Sequence, residues 1–255
     1  MSDFPKGAAV VFGGSGGVGR AICERLAHYG ADVALTYRGN AAAAEEAAEE
    51  IRAKGRKASI HQVSLTDADG VARFLHEVAE AHGRIHTVVC AAGSNIKQPF
   101  ISQVSVEEWK QVIDADVNGF FHVAHAALPL FRAGGGGSFV YVSSAGLERY
   151  PAGDVLSVAP KGAVEALLKG IAREEGRFGI RANIVGLGVI ETGLFPRLVA
   201  NGDFTEEWIA AAKRNTALRR FGSAQEVAEA VAFLASSRAS YVTGQRIMLD
   251  GGYSL

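Results

Sequence analysis

Seven short runs of apolar and β-branched residues, at 8–12, 32–37, 57–62, 87–91, 137–143, 181–187 and 246–249, alternate with longer helical patterns along the whole chain. The helical patterns cover 19–29, 41–54, 67–82, 106–131, 157–177 and 224–236. Most of the short runs lack polar–apolar alternation, as expected of parallel strands covered on both faces. Strand–helix–strand repetition with right-handed crossovers predicts an α/β, Rossmann-like fold: a doubly wound parallel sheet of about seven strands with helices on both faces. No Pro/Gly/Ser linker divides the chain, and the glycines of 134–137 are too few to be one, so a single domain over 1–255 is expected.

One stretch breaks the alternation. Residues 192–221 carry Pro196, Gly202 and a helical pattern at 205–213. They follow the strand that ends near Leu187, and in open α/β sheets ligands bind beyond the carboxyl ends of strands. This segment is expected to form a lid over a substrate.

The first strand runs straight into Gly13-Gly14-Ser15-Gly16-Gly17-Val18-Gly19 and then a helix. Gly14-x-Gly16-x-x-Gly19 and Gly13-x-x-x-Gly17-x-Gly19 both fit dinucleotide-binding spacings. Either way, glycines permit the tight turn and a close backbone approach, while the helix N-terminus offers free N–H groups to a pyrophosphate. The second strand ends in Tyr37-Arg38-Gly39-Asn40, without the carboxylate that would hold the adenine ribose hydroxyls. Arg38 can instead pair bidentately with a 2′-phosphate, and Asn40 can add a hydrogen bond, so the expected cofactor is NADP (NADPH).

Charge and composition narrow the partners. The 255 residues include 26 Lys and Arg against 27 Asp and Glu, a net charge of −1, and 48% are hydrophobic, an ordinary globular balance. A nucleic-acid partner, which wants a basic face, is not expected. Cys23 and Cys90 lie in apolar runs and read as core residues. The segment Met1-Ser2-Asp3-Phe4-Pro5-Lys6 has no secretory pattern, and no apolar stretch approaches the roughly 18 residues of a membrane span, so a cytoplasmic protein is expected.

With these residues in place, the chain resembles the short-chain dehydrogenases/reductases over about 8–253. The glycine loop is one landmark. Cys90-Ala91-Ala92-Gly93 stands where the family has Asn-Asn-Ala-Gly, and Lys161-Gly162-Ala163 opens a long helix. Leu187-Gly188-x-Ile190-x-Thr192 matches the family's Pro-Gly-x-Ile-x-Thr, and Tyr241-Val242-Thr243-Gly244-Gln245 with Asp250-Gly251-Gly252 closes the chain. The resemblance implies that Ala91, Ala92 and Gly93 contact the cofactor, that Gly188, Ile190 and Thr192 meet its nicotinamide end, and that Ser64 and Leu65 flank its adenine. It also implies that Lys161 holds the nicotinamide ribose, that the substrate is a small molecule, and that the chain forms a homo-oligomer, usually a tetramer.

The catalytic pattern departs from the family's. The Tyr-x-x-x-Lys motif is replaced by Ser157-Val158-Ala159-Pro160-Lys161, and a serine hydroxyl is a far weaker acid than a phenol of pKa about 10. The family serine is retained as Ser144, and the usual helix asparagine aligns with Asp116. The 2,4-dienoyl-CoA reductases, similar in carrying Ser-x-x-x-Lys, place their asparagine two residues later in a Trp-Lys…Asn-Gly context, which falls here on Asn118. Their catalytic tyrosine falls on Gly146, and the nearest tyrosine is Tyr150. Two residues on a helix are about 200° apart, so Asp116 and Asn118 do not share one site. Asn118 is expected to face the cofactor, and Asp116 structure or solvent.

Three readings stay open. The first is NADPH-dependent reduction of an enoyl- or dienoyl-thioester or related conjugated carbonyl, with Asn118 and Tyr150 as donors to the developing enolate. The second is ketone–alcohol chemistry with Tyr150 replacing the missing phenol. The third is a non-redox NADP-binding protein with a degenerate site. Arg197, Lys213, Arg214, Arg219 and Arg220 form either a patch for CoA phosphates or a solvated lid surface. His122 and His125 are read as packed or solvated rather than metal-binding, and Trp109 and Trp208 as packing residues.

Overall fold

Every residue of β1 (Ala8–Phe12) is buried, and its side chains alternate between two cores. Ala9 and Val11 enter one core, while Ala8, Val10 and Phe12 enter the other. A strand covered on both faces has no polar side to display, which is why its sequence is an unbroken apolar run. The computed structural model describes residues 3–255; Met1 and Ser2, which open the N-terminal segment read above, lie outside the described residues.

The strands that follow are β2 (Asp32–Tyr37), β3 (Ala58–Gln62), β4 (Ile85–Cys90), β5 (Gly137–Ser144), β6 (Ile180–Leu187) and β7 (Arg246–Leu249). All pair in parallel, in the order β3-β2-β1-β4-β5-β6-β7. The order reverses between β1 and β4, so connections leave in opposite directions there and open a crevice at the carboxyl edge. Register brings the strand ends level, with Phe12 opposite Cys90 and Ser144 opposite Leu187.

Helices α1 (Gly17–His28), α2 (Ala41–Ala53) and α9 (Ala224–Ala235) cover one face of the sheet. Helices α3 (Ala68–His82), α5 (Gly119–Ala133) and α6 (Val155–Glu175) cover the other. The alanine-rich α2 shows how small residues suffice. Ala44, Ala47, Ala48 and Ile51 form its buried stripe, at i, i+3, i+4 and i+7. Side chains fix the helix starts: Asn40 caps α2 and Asp67 caps α3, and Ser223 forms a capping box with Glu226. Two further helices, α7 (Leu194–Ala200) and α8 (Glu206–Arg214), lie in the segment after β6.

The structure corrects some sequence expectations. Strand β4 begins at Ile85, not 87, because the polar-looking His86 is buried and stacks on Phe4. Burial and the nearby Arg84 lower its pKa to about 4. The helix expected over 106–131 is α4 (Val106–Val112), a π-turn segment (Ile113–Asn118) and then α5. An inserted π-turn leaves the apolar spacing on either side intact, so periodicity reads straight through it. Helix α7 went unread because Pro196 looks like a breaker, but it sits in the first turn, where proline is tolerated. Cys23 and Cys90 are buried in the two cores as expected, with thiol pKa values raised by burial. No described helix is long and apolar enough to cross a membrane.

Candidate active site

At the crevice between β1 and β4 the backbone turns on Gly13, whose φ is +80°. A Cβ there would lie 2.8 Å from the Ala92 backbone, and one on Gly17 would collide with Thr192. Gly13 N–H donates to Thr36 Oγ1 at 3.1 Å, and Gly16 N–H to the Gly13 carbonyl at 3.1 Å, so the loop is held against β2 and folded on itself. The N-cap of α1 is Gly16, and no side chain caps the helix. The result is a floor without side chains, ending in free helix N–H groups. Its shape and donor set fit the pyrophosphate of a dinucleotide.

A cavity of about 980 Å³ extends from this floor. Gly13, Gly17, Val18, Gly19, Ala91 and Gly93 line it at one end, with Gly188, Ile190 and Thr192 across from them. Ser15 belongs to the same glycine turn, and Ala92 packs against the core beneath it. Tyr37, Arg38, Asn40, Ser64 and Leu65 stand outside the cavity, just at or beyond the carboxyl ends of β2 and β3. Arg38 is exposed, and its guanidinium has no partner among the described residues, which leaves it free to receive a phosphate. Asn40 accepts from Ala43 N–H as the cap of α2, and its amide N–H groups remain available. Leu65 accepts through its carbonyl from His122 Nδ1 at 2.8 Å, which accounts for that histidine, while His125 stacks with Phe121.

Deeper in the cavity lie Ser144, Ser157 and Lys161. Ser144 Oγ accepts from Gly146 N–H at 3.0 Å, which leaves its own proton to donate elsewhere. Ser157 and Lys161 sit one turn apart on α6, and neither side chain is hydrogen-bonded within the described residues. Helix α6 is pinned one turn further on. Buried Glu165 accepts from Ser143 Oγ at 2.5 Å and from Arg246 Nη1 at 3.0 Å, tying the helix to β5 and β7.

Two expected donors are elsewhere. Asn118 is exposed, and its Nδ2 donates to Asp114 at 3.0 Å, away from the cavity. The residue on the inward side is Asp116, which accepts from Ser94 Oγ at 2.7 Å. Burial raises the Asp116 carboxyl against the opposing pulls of Ser94 and Lys161. Asn118 lies four residues after Asp114, the spacing that places two side chains on one helix face, and Asp116 falls on the other side. Tyr150 is half exposed and does not line the cavity.

Sequence reasoning missed several lining residues. Asp154 and Gln98 lie near Ser157 and Lys161, and the far wall is Leu194, Phe195, Leu198, Phe204 and Trp208, with Tyr253 from the C-terminus. Trp208, read above as a packing residue, stacks on Phe204 and also faces the cavity. The signal for these residues was only the spacing of α7 and α8 within the irregular segment. Of the five basic residues of 192–221, Arg219 donates to the Arg214 carbonyl, and the other three have side-chain partners. Arg197 faces the cavity and hydrogen-bonds Asn95, Lys213 pairs with Glu191, and Arg220 pairs with Glu226.

Comparison with known proteins adds a second line of observation. Residues 13–254 match a family model described as enoyl-(acyl carrier protein) reductase. The 3-oxoacyl-[acyl-carrier-protein] reductase FabG of Staphylococcus aureus is 35% identical over 246 residues, covering 96% of this chain and 97% of that protein. A short-chain type dehydrogenase/reductase from Mycobacterium ulcerans superposes with a TM-score of 0.92 at 32% identity, covering 100% of this chain and 91% of the other. Carveol dehydrogenase from Mycobacterium avium, solved in complex with NAD, superposes with a TM-score of 0.89 at 25% identity, covering 97% and 98%.

Proposed function

Because the chain belongs to the short-chain dehydrogenase/reductase family of oxidoreductases, which work with nicotinamide cofactors, we propose that it is an NADP(H)-dependent reductase of a carbonyl compound with an apolar body. Enoyl- or dienoyl-thioesters are the first class to test. The observation that carries this reading is the continuity of one cavity. It runs from the glycine floor, past Ser144, Ser157 and Lys161, to the wall of Leu194, Phe195, Phe204 and Trp208.

The residues divide the work. Gly13, Ser15, Gly17, Val18 and Gly19 cradle the pyrophosphate, with Ala91, Ala92, Gly93, Gly188, Ile190 and Thr192 along the nucleotide's course. Tyr37, Ser64 and Leu65 flank the adenosine end, where Arg38 and Asn40 take the 2′-phosphate. The bound nicotinamide supplies hydride. Lys161 hydrogen-bonds its ribose and brings positive potential to the reacting centre, and Ser144 and Ser157 donate to the substrate oxygen as negative charge develops there. Residues 192–221 close over the apolar body as a lid. The exposed apolar side chains Trp109 of α4 and Phe121 of α5 suit burial in a homo-oligomer, a tetramer by family likeness.

Serine at 157 favours a conjugated substrate, since conjugate reduction needs donors at the oxygen rather than a phenolic acid. A second reading, reduction of an isolated ketone, is favoured by a different feature, the carboxyl of Asp154 inside the cavity. The two separate in one experiment. An α,β-unsaturated ketone is incubated with NADPH deuterated at both C4 positions, so that either face delivers deuteride, and the position of deuterium in the product is read by NMR. Deuterium at the β-carbon supports conjugate reduction, whereas deuterium at the carbinol carbon supports the ketone reading. Product free of deuterium contradicts both.

A further inference from the structure

The stripe of α6 that carries Ser157 and Lys161 has a third polar member. Asp154, Ser157 and Lys161 are spaced by three and four residues, which aligns them on one side of the helix, and all three line the cavity. An aspartate at a helix start ordinarily turns its carboxylate onto the free N–H groups of the first turn. Asp154 occupies the N-cap position of α6 but makes no such bond. Its side chain is buried, at 8% exposure, with one long hydrogen bond from Gln98 Nε2 at 3.4 Å. Gly153 holds this arrangement. Its φ is +82°, and a Cβ there would lie 2.7 Å from the Gln98 carbonyl oxygen.

Among the described residues, the charged and titratable groups that share the cavity or its edge with this carboxyl are few. Lys161 lies on the same helix, with Asp116 near it from the π-turn. From other elements come Arg197 of α7, hydrogen-bonded to Asn95, and the phenol of Tyr253, whose ring lies under Arg149. Burial raises Asp154 to about 6, against the opposing pulls of Lys161 and Gln98. The group is therefore half protonated near pH 6 and still about one-tenth protonated at neutrality, far more than an ordinary aspartate, and a pKa close to the working pH suits a general acid. Ser157 does not supply such an acid, and Tyr150 lies outside the cavity.

Building on the reductase reading above, we propose that Asp154 is the proton donor of the reaction, in place of the phenol that Ser157 replaces. As hydride reaches carbon, the π pair of the carbonyl moves to oxygen. That oxygen takes the proton of the Asp154 carboxyl, and the carboxylate left behind is reprotonated from solvent. A ketone gives an alcohol directly, and a conjugated carbonyl gives an enol that tautomerises to the saturated compound.

The test compares the wild-type chain with Asp154→Asn and Asp154→Glu. Asp154→Asn is expected to lower kcat about 100-fold or more while NADPH affinity, read by fluorescence titration, stays within about threefold. The wild-type rate is expected to fall as pH rises through the Asp154 titration, and Asp154→Glu to keep both part of the rate and that descending limb. Independently of turnover, carbon-13 NMR of the ligand-free, aspartate-labelled chain should show a carboxyl titrating near 6 that Asp154→Asn removes. A wild type that reduces substrate beside an equally active Asp154→Asn overturns this proposal alone, as does an Asp154 carboxyl titrating below about 4. A wild type that binds NADPH and reduces nothing overturns the reductase reading, and this proposal with it.

Discussion

A carboxyl that neither caps its helix nor meets a cation directly leaves a mark on stability. The folded chain holds Asp154 near pH 6, above the unfolded value of about 3.9. Between those values the folded state binds more protons than the unfolded one, so this contribution is fully present below about 3.9 and is lost as pH rises through 6. At pH 8 the ionised, buried group costs on the order of 2–3 kcal/mol, and Asp154→Asn is expected to raise the melting temperature there but not at pH 4. Thermal melts at the two pH values check this, and a variant less stable at pH 8 contradicts it. At the nucleotide end, Gly13 combines a φ of +80° with backbone 2.8 Å from any Cβ, so Gly13→Ala is expected to weaken NADPH binding at least ~10-fold. Arg38→Ala is expected to weaken NADPH binding ~10- to 100-fold, the worth of a charge-assisted hydrogen bond, and to leave NADH binding unchanged. Fluorescence titration with both cofactors measures the pair. Equal losses for NADPH and NADH would place Arg38 away from the 2′-phosphate.

At the scale of elements, the strands were legible because burial on both faces writes itself as apolar runs, and the glycine loop because a backbone cradle tolerates few other residues. The π-turn was not legible. The spacing of apolar residues on α4 and α5 survives it, and the polar run Asp114, Asp116, Asn118 does not show by itself that Asp116 rather than Asn118 lies inward. Asp154 was equally hidden. Its partner Gln98 is 56 residues away, and nothing in Gly-Asp-Val announces that the carboxyl is turned from its own helix. In the irregular segment the helical pattern at 205–213 is α8 (Glu206–Arg214), whereas α7 and the aromatic wall needed the fold. Trp208 of α8 covers Phe204 and the cavity together. Trp208→Ala is therefore expected to raise KM for an apolar substrate about 10-fold with a smaller change in kcat, since it removes apolar contact distant from the reacting atoms. Steady-state kinetics decide it, and an unchanged KM would show that the substrate body lies elsewhere.

The whole molecule is a sheet between two cores, and its function depends on their rigidity. Leu168 of α6 is fully buried, so Leu168→Ala is expected to cost about 2–5 kcal/mol in denaturant unfolding, through lost burial and an added cavity. The same packing keeps α6 seated on β5 and β6 and hence holds Asp154, Ser157 and Lys161 in one row. Strand order carries the glycine floor and the apolar wall of Leu194, Phe195, Phe204 and Trp208 to the same edge of the sheet, where a single cavity joins them. That junction is the central claim, and absorbance at 340 nm addresses it directly. The purified chain is given NADPH or NADH with 2,4-dienoyl-CoA, 2-enoyl-CoA, 3-ketoacyl-CoA and simple apolar ketones, beside a cofactor-binding titration. The expected result is turnover of at least one apolar carbonyl class, faster with NADPH than with NADH. Tight NADPH binding with no oxidation on any of them would contradict the account and favour a protein that binds the nucleotide without using its hydride.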